Sequence, residues 1–493
     1  MIPPNPTAAA FAFALFAAHV GLVAQGETKH PSPSTTTVAR PNFVVFFLEG
    51  TGSGFPSTSV TMDDTLPDAK AFAAATPTIA RLAADGMRFA EFYVSAPRCT
   101  PSRASLLTGM SAAKLGMTYV NEGGTERRGG EGGGKRNGGN ESTAVKRLIP
   151  PTCRTELPAE VTTIAELLHD AGYATAHFGK WHVGRERPSH HGFDVDDGAN
   201  TNRGPGRSEK PNPEQGVAIT DAGIEFAKKQ LAAKKPFYVQ ISHYGGGSED
   251  EATAETRQAL AAELRGMRGK TAWQAAILRD IDDQMARVLV ALDEMKVADS
   301  TYVVLVFDHG AAGRNTNAPL SGGKGSVLEG GIRVPFVVRG PGIARGVCCR
   351  VRASTADVLP TVAELAGVTS WPSEVEGGSL AAVLRGNGKG PVARPHEELV
   401  VHFPHYDLGS GPASAIFLGD YKLVRRYDDG ARMLFDVRKD PGERQDLAAS
   451  QAARVTEMEK RLDAYLKAIH AAMPTPNPEY GKSGDDPKSK NRK

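Results

Sequence analysis

The run Cys99-Thr100-Pro101-Ser102-Arg103, continued by Ala104-Ser105-Leu106-Leu107-Thr108-Gly109, reads as a helix that opens on a nucleophile. Thr100 is a capping type, Pro101 suits the first helical position and Gly109 suits the end. The free N–H groups and the dipole at such a terminus favour an anion beside Cys99. Arg103, one turn in, adds a fixed cation aimed at the same spot. Together these groups suit attack on an oxyanion ester. A second segment, Gly172-Tyr173-Ala174-Thr175-Ala176-His177-Phe178-Gly179-Lys180-Trp181-His182, is a helix stop followed by a strand. Lys180 and His182 leave it at period-two spacing, on one side. A lysine there can neutralise a nucleophile or an anionic substrate, and a nearby histidine can move protons. In a third segment, Gly322-Gly323-Lys324-Gly325, the glycines let backbone approach an anion and Lys324 adds charge.

Residues so far apart need a scaffold that gathers them. Asn42–Leu48 is a continuous Val- and Phe-rich run of the kind buried in a parallel sheet. Residues 302–307, 237–241 and 334–338 repeat the pattern, and helical patterns lie at 76–86, 162–171, 221–231 and 272–295. Thr76 and Pro77 open the first of these as cap and first-turn residue. Alternating strands and helices predict an α/β domain with helices on both sheet faces. Ligands in such sheets sit beyond the carboxyl ends of strands. Glu49, after the first strand, and Asp308 and His309, after 302–307, therefore converge on one site. Residues 355–367 read as a short helix ended by Gly367. Past a Gly/Pro-rich stretch at 386–395, short strand patterns at 399–402, 415–418, 421–427 and 432–435 precede a helix at 451–471. They predict a small antiparallel sheet with a terminal helix.

In this order the segments resemble the type I (formylglycine-dependent) sulfatases of the alkaline phosphatase-like superfamily. Cys99-x-Pro101-Ser102-Arg103 is similar to that family's first signature, and the segment ending in Lys180-Trp181-His182 to its second. Pieces of resemblance run from Pro41 to about Leu447. They imply an α/β fold, with a large mixed, mostly parallel sheet between helices and a smaller C-terminal antiparallel sheet plus helix. They also imply that a formylglycine-generating enzyme oxidises Cys99 to an aldehyde. One hydroxyl of the hydrated aldehyde would attack sulfur, and the other would then expel sulfate. Catalytic roles fall on Cys99, Arg103, Lys180, His182 and Lys324. Glu49, Asp308, His309 and modified Cys99 take the places of ligands to a divalent cation, Ca²⁺ in the family. The implied reaction is hydrolysis of a sulfuric ester on a sulfated carbohydrate or an aryl sulfate.

Two positions depart from the family. Gly50 stands where most members carry a second Asp ligand, so the site loses a negative charge. Weaker metal binding, a water in that place or a local rearrangement follows. Gly247 occupies the slot of the His that protonates the leaving alcohol. His243 is close in sequence, and His402 and His405 in His402-Phe403-Pro404-His405 are further candidates for substrate contact. Two other readings stay open: a catalytically impaired sulfatase fold that binds sulfated glycan, and a phosphate or phosphonate monoester hydrolase.

Across 493 residues, 58 Lys and Arg against 56 Asp and Glu leave no global charge to draw nucleic acid. Four cysteines are too few for a disulfide framework. Residues 8–23 are apolar and end in small residues near Ala24, which predicts a signal peptide over 1–24 and export to the exterior or periplasm. That run falls short of the ~20 apolar residues of a stable membrane span. A flexible lead-in at 25–40, a catalytic domain at 41–388, a C-terminal subdomain at 389–472 and a disordered tail at 473–493 complete the expected organisation. The Gly-rich stretch 121–140 reads as a mobile surface loop.

Overall fold

The computed structural model describes residues 40–50, 75–120, 145–201, 212–245, 252–262, 270–312 and 317–481. The expected signal peptide, the lead-in before Arg40, the 121–140 loop, Gly247 and the tail beyond 481 lie outside them. The central sheet has eight strands: β1 (Asn42–Leu48), β2 (Met87–Phe89), β3 (Ala174–Gly179), β4 (Val195–Asp196), β5 (Phe237–Ser242), β6 (Thr301–Phe307), β7 (Phe336–Arg339) and β8 (Val347–Cys349). They lie in the order β8-β2-β7-β6-β1-β5-β3-β4. β1 pairs in parallel with β5 and β6, and β5 with β3. β7 alone runs against its neighbours β6 and β2. The 334–338 pattern thus marks the antiparallel strand of a mixed sheet, because a run buried on both faces looks the same in either direction.

The principal helices are α1 (Pro77–Asp85), α2 (Cys99–Thr108), α3 (Ile164–Asp170), α4 (Asn212–Ala232), α5 (Lys270–Glu294), α6 (Val358–Leu365) and α7 (Ala452–Ala468). Gly223 of α4 lies against Val239 and Ile241, whereas Phe43, Tyr302 and Val304 meet Val358 and Leu365 of α6. The register pairs Val44, not Phe43, with Val239, so α4 and α6 cover opposite faces. That is why β1 carries no polar alternation: each of its seven side chains is buried, worth about 1.5–3 kcal/mol per large apolar residue. Thr163 starts α3 with a capping box to Glu166. Thr76 does not cap α1 as expected. The Asp282 carboxylate on α5 does so, accepting from Thr78 N and Ile79 N at 2.8 Å each.

Strands β9 (Leu399–Phe403), β10 (Ala413–Leu418), β11 (Tyr421–Arg426) and β12 (Arg432–Asp436) form the C-terminal antiparallel meander. Alternate residues face opposite ways. Val400, Ile416, Leu423 and Leu434 pack on Met458 and Leu462 of α7, while Val401, Ala415, Phe417 and Val424 join the main core. The expected tail is ordered at its start: Thr475–Pro476 pairs with Leu148–Ile149. All four cysteines are free thiols. Among the described residues no helix is long and apolar enough to cross a membrane.

Candidate active site

Glu49 and Gly50 follow β1, Lys180 follows β3, and Asp308 and His309 follow β6, all at the carboxyl edge of parallel strands. Cys99 reaches the same place as the first residue of α2. Arg98, in extended conformation, stands at its cap, and the Thr100 hydroxyl has no hydrogen-bond partner among the described residues, so the expected Thr100 cap does not form. Ser102 fixes the turn instead, its hydroxyl donating to the carbonyls of Ala96 at 2.8 Å and Arg98 at 2.9 Å. Gly109 ends the helix at φ 69°, a left-handed position that suits glycine.

The Cys99 sulfur lies 3.1 Å from His309 Nε2, 3.4 Å from Lys180 Nζ and 3.9 Å from Lys324 Nζ. Glu49 shares both ammonium groups, at 3.0 Å from Lys180 and 3.6 Å from Lys324, and accepts from Gly245 N at 3.2 Å. Burial alone would raise the Cys99 thiol, but Lys180, Lys324 and His309 outweigh it and hold the thiol well below its ordinary value. Burial opposes the Glu49 charge too, yet the same two lysines bring that carboxyl down to about 2. Burial would discharge Lys180, but Cys99 and Glu49 raise it above its usual value. The cluster is therefore a set of mutually dependent charges, with a stabilised anion at residue 99.

Arg103 makes its hydrogen bonds to the scaffold rather than to the sulfur. It donates to Asp308 Oδ2 at 3.2 and 3.1 Å and to the Lys180 carbonyl at 2.6 Å, with its guanidinium 4.7 Å from the Phe47 ring centroid. Asp308 Oδ1 accepts from Gly50 N at 2.9 Å. His309 Nδ1 donates to the Gly310 carbonyl at 2.8 Å, which leaves Nε2 facing Cys99 and, at 3.3 Å, Asp308. Gly50 is explained by the same ring. A Cβ at residue 50 would stand 2.2 Å from the His309 carbonyl oxygen and 2.3 Å from Nδ1. The missing side chain and the imidazole occupy one space.

His182 sits in left-handed backbone at φ 56°, anchored by its N–H to the Asn200 carbonyl at 2.9 Å. Its ring borders Cys99, and among the described residues neither ring nitrogen is in hydrogen-bond geometry with a protein atom. Burial lowers its pKa, which keeps the imidazole neutral. The other three candidate histidines are drawn elsewhere. His243 Nε2 pairs with the Thr220 hydroxyl of α4 at 2.9 Å, and burial lowers it to about 4. His402 is saturated by Ser414 at 2.6 Å and the Ala472 carbonyl at 3.0 Å. Those partners tie His243 and His402 into the scaffold rather than to the Cys99 cluster. His405 pairs with the Thr118 hydroxyl at 2.8 Å. Sequence reading missed Arg98, Tyr119 and Asp407, which meet beside Cys99. Arg98 adjoins Cys99 in sequence, but no spacing signals its partner 309 positions away.

Comparison with known proteins accords with this geometry. The sulfatase family profile matches residues 41–368, and the profile of the N-sulphoglucosamine sulphohydrolase C-terminal region matches 323–471. Human arylsulfatase A is 27% identical over 91% of this chain and 92% of its own length. Mouse N-acetylgalactosamine-6-sulfatase is 28% identical over 70% of this chain and 66% of its own. Among solved structures, Ps i-CgsB in complex with k-i-k-neocarrahexaose superimposes with a TM-score of 0.66 at 21% identity, covering 86% of this chain and 92% of its own. BT4656 in complex with its substrate D-glucosamine-2-N,6-O-disulfate does so at 0.62 and 19%, covering 87% and 98%; at such identities the likeness speaks to the fold. With two thirds of its length inside the family profile and Cys99 set among Lys180, His309 and Lys324, this chain belongs to the sulfatase family and is a sulfatase-type enzyme.

Proposed function

We propose that the protein hydrolyses sulfate esters of a carbohydrate or an aryl alcohol through a formylglycine made from Cys99. The observation that carries this reading is the placement of Cys99 at a helix N-terminus within reach of two ammonium groups and one imidazole. Lys180 and Lys324 hold the charge of the nucleophile and of the sulfate oxygens. His182, with both nitrogens unclaimed among the described residues, holds or moves a proton at the reacting oxygen. Arg103 fixes Asp308 and the Lys180 backbone, and so acts as a positioning residue.

The donor set also fits a divalent cation. Among the described residues, Glu49, Cys99 and His309 place one ligand atom each within 4.8 Å of one another, and Asp308 adjoins them. Glu49, Asp308 and His309 would hold the ion, with the converted Cys99 as a further ligand. When bound, it would supply Lewis-acid stabilisation of the nucleophile. An imidazole nitrogen and only two carboxylates make this a poorer Ca²⁺ site than an all-oxygen set. That observation favours a second reading, retention of sulfated glycan with little turnover. The apolar run at 8–23 supports export to the exterior or the periplasm.

The test is mass spectrometry of the Cys99 peptide from exported protein of the native host, followed by sulfate- and phosphate-ester assays. Aldehyde at residue 99 with sulfate release is the expected result. Greater phosphate than sulfate turnover would move the protein to phosphate monoesters. Converted Cys99 with tight glycan binding and no turnover would establish the second reading.

A further inference from the structure

A further group of polar side chains lies against the nucleophile, and none of the roles above uses it. Arg98, the residue before Cys99, forms a bidentate ion pair with Asp407, from Nε to Oδ2 and from NH2 to Oδ1. The same carboxylate accepts from the Tyr119 hydroxyl at 3.4 Å, and the Arg98 guanidinium lies 5.6 Å from that ring's centroid. Gly325 joins this group to the catalytic cluster. Its N–H donates to the Pro97 carbonyl at 3.0 Å, and a Cβ there would stand 2.6 Å from Asp407 Oδ2. Asp407 therefore packs on the immediate neighbour of Lys324, whose ammonium reaches the Cys99 sulfur.

The backbone beyond Asp407 is shaped for display. Asp407 and Ser410 exchange both N–H···O bonds, at 3.0 and 2.7 Å, in a tight turn. Leu408 within it is left-handed at φ 43° and 53% exposed. A branched residue pays conformational strain there, and such strain gathers at ligand clamps. Two residues upstream, His405 is buried with Nε2 on Thr118 and, among the described residues, no partner for Nδ1.

We propose that Arg98, Asp407 and the turn to Ser410 form the subsite for the ring that bears the sulfate, and that this ring is a saccharide. The inference rests on the sulfatase reading above. Asp407, held rigid by Arg98, accepts from a ring hydroxyl in a charge-assisted hydrogen bond. Leu408, exposed on the turn, offers apolar surface to the ring face. An unsubstituted aryl sulfate has no hydroxyl to give, and leaves Asp407 without that partner.

Formylglycine-converted protein would be assayed on glucosamine 6-sulfate, galactose 6-sulfate and nitrophenyl sulfate, as wild type, Asp407→Asn and Asp407→Ala. The inference expects the ratio of kcat/KM for the better sugar sulfate to that for nitrophenyl sulfate to fall at least about tenfold, mainly through KM. Asp407→Asn keeps the side-chain shape and carries the test should Asp407→Ala not fold. An equal fall on sugar and aryl substrates would overturn the subsite, leaving Asp407 as a brace for α2. So would an unchanged ratio, or a wild type active on nitrophenyl sulfate and on neither sugar. Wild type converted at Cys99 but releasing sulfate from none of the three would instead remove the sulfatase reading, and the subsite with it.

Discussion

Two buried charge clusters in this molecule look alike in composition and differ in completeness. Around Lys422, on β11, every charged atom has a partner. The Lys422 ammonium meets Glu329 Oε1 at 3.0 Å and Glu443 Oε1 at 2.8 Å. Glu329 Oε2 accepts from the Tyr93 hydroxyl at 2.9 Å and from Arg333 at 3.2 Å, while Glu443 Oε2 accepts from Glu329 N at 2.8 Å. Two cations face two carboxylates, and the cluster locks the C-terminal meander to the main core. Around Cys99 the charges are just as dense, but among the described residues His182 has both ring nitrogens unpartnered and the Thr100 hydroxyl has no partner. Leaving such a group unsatisfied in a protein interior costs about 1–3 kcal/mol. The saturated cluster is what a fold needs. The unsaturated one leaves polar atoms unclaimed beside Cys99.

The comparison breaks most sharply at Cys99. Replacement by Ala is expected to lower sulfate release about 10⁴-fold or more, since it removes the group on which the proposed nucleophile is built. Its urea midpoint should move little. A lost midpoint with retained turnover would mean that the Cys99 cluster is the structural one. Lys422→Met is the mirror experiment. It strands Glu329 and Glu443 in the interior, and removing one partner from a buried pair costs about 3–5 kcal/mol. Urea unfolding reads that loss, and kcat measured below the transition should stay near wild type. A collapse of kcat in a folded Lys422→Met protein would show that the two clusters are coupled.

How much of each cluster the sequence disclosed follows from the physics of its parts. The Cys99, Lys180, Lys324 and Asp308-His309 segments were legible because each is local: a strand end or a helix start, with the reactive residue at a fixed offset. The sheet was legible for the same reason, since a strand covered on both faces must be apolar throughout, as β1 is. Strand direction was not, because burial carries no sense of polarity, and β7 runs opposite to its neighbours. Arg103 illustrates a different limit. One helical turn places it near Cys99, but its donors go to Asp308 and the Lys180 carbonyl, partners that only the folded sheet supplies. Gly50 is the instructive departure. In sequence it is a missing ligand, and in the structure it is the space that the His309 ring needs.

The smallest effect concerns Glu443. Burial raises its carboxyl to about 7, with Lys422 pulling it down and Glu329 pushing it up. Its ordinary value is 4.5, so between these two the folded chain binds a proton that the unfolded chain has released. Stability from this group is therefore complete below its ordinary value and is lost as pH rises through about 7. Glu329 has the opposite sign. Burial opposes its charge, but Lys422 and Arg333 lower it, so its contribution is present above the ordinary range and lost in acid. Glu443→Gln removes one titration and keeps an oxygen for Lys422. The stability advantage of wild type over this variant, from urea midpoints, should shrink by on the order of 1–3 kcal/mol from acidic to mildly alkaline pH. A constant difference would mean that both carboxylates stay charged beside Lys422 and Arg333. The cluster would then be a four-charge lock with no proton in it, saturated still, and even less like the site around Cys99.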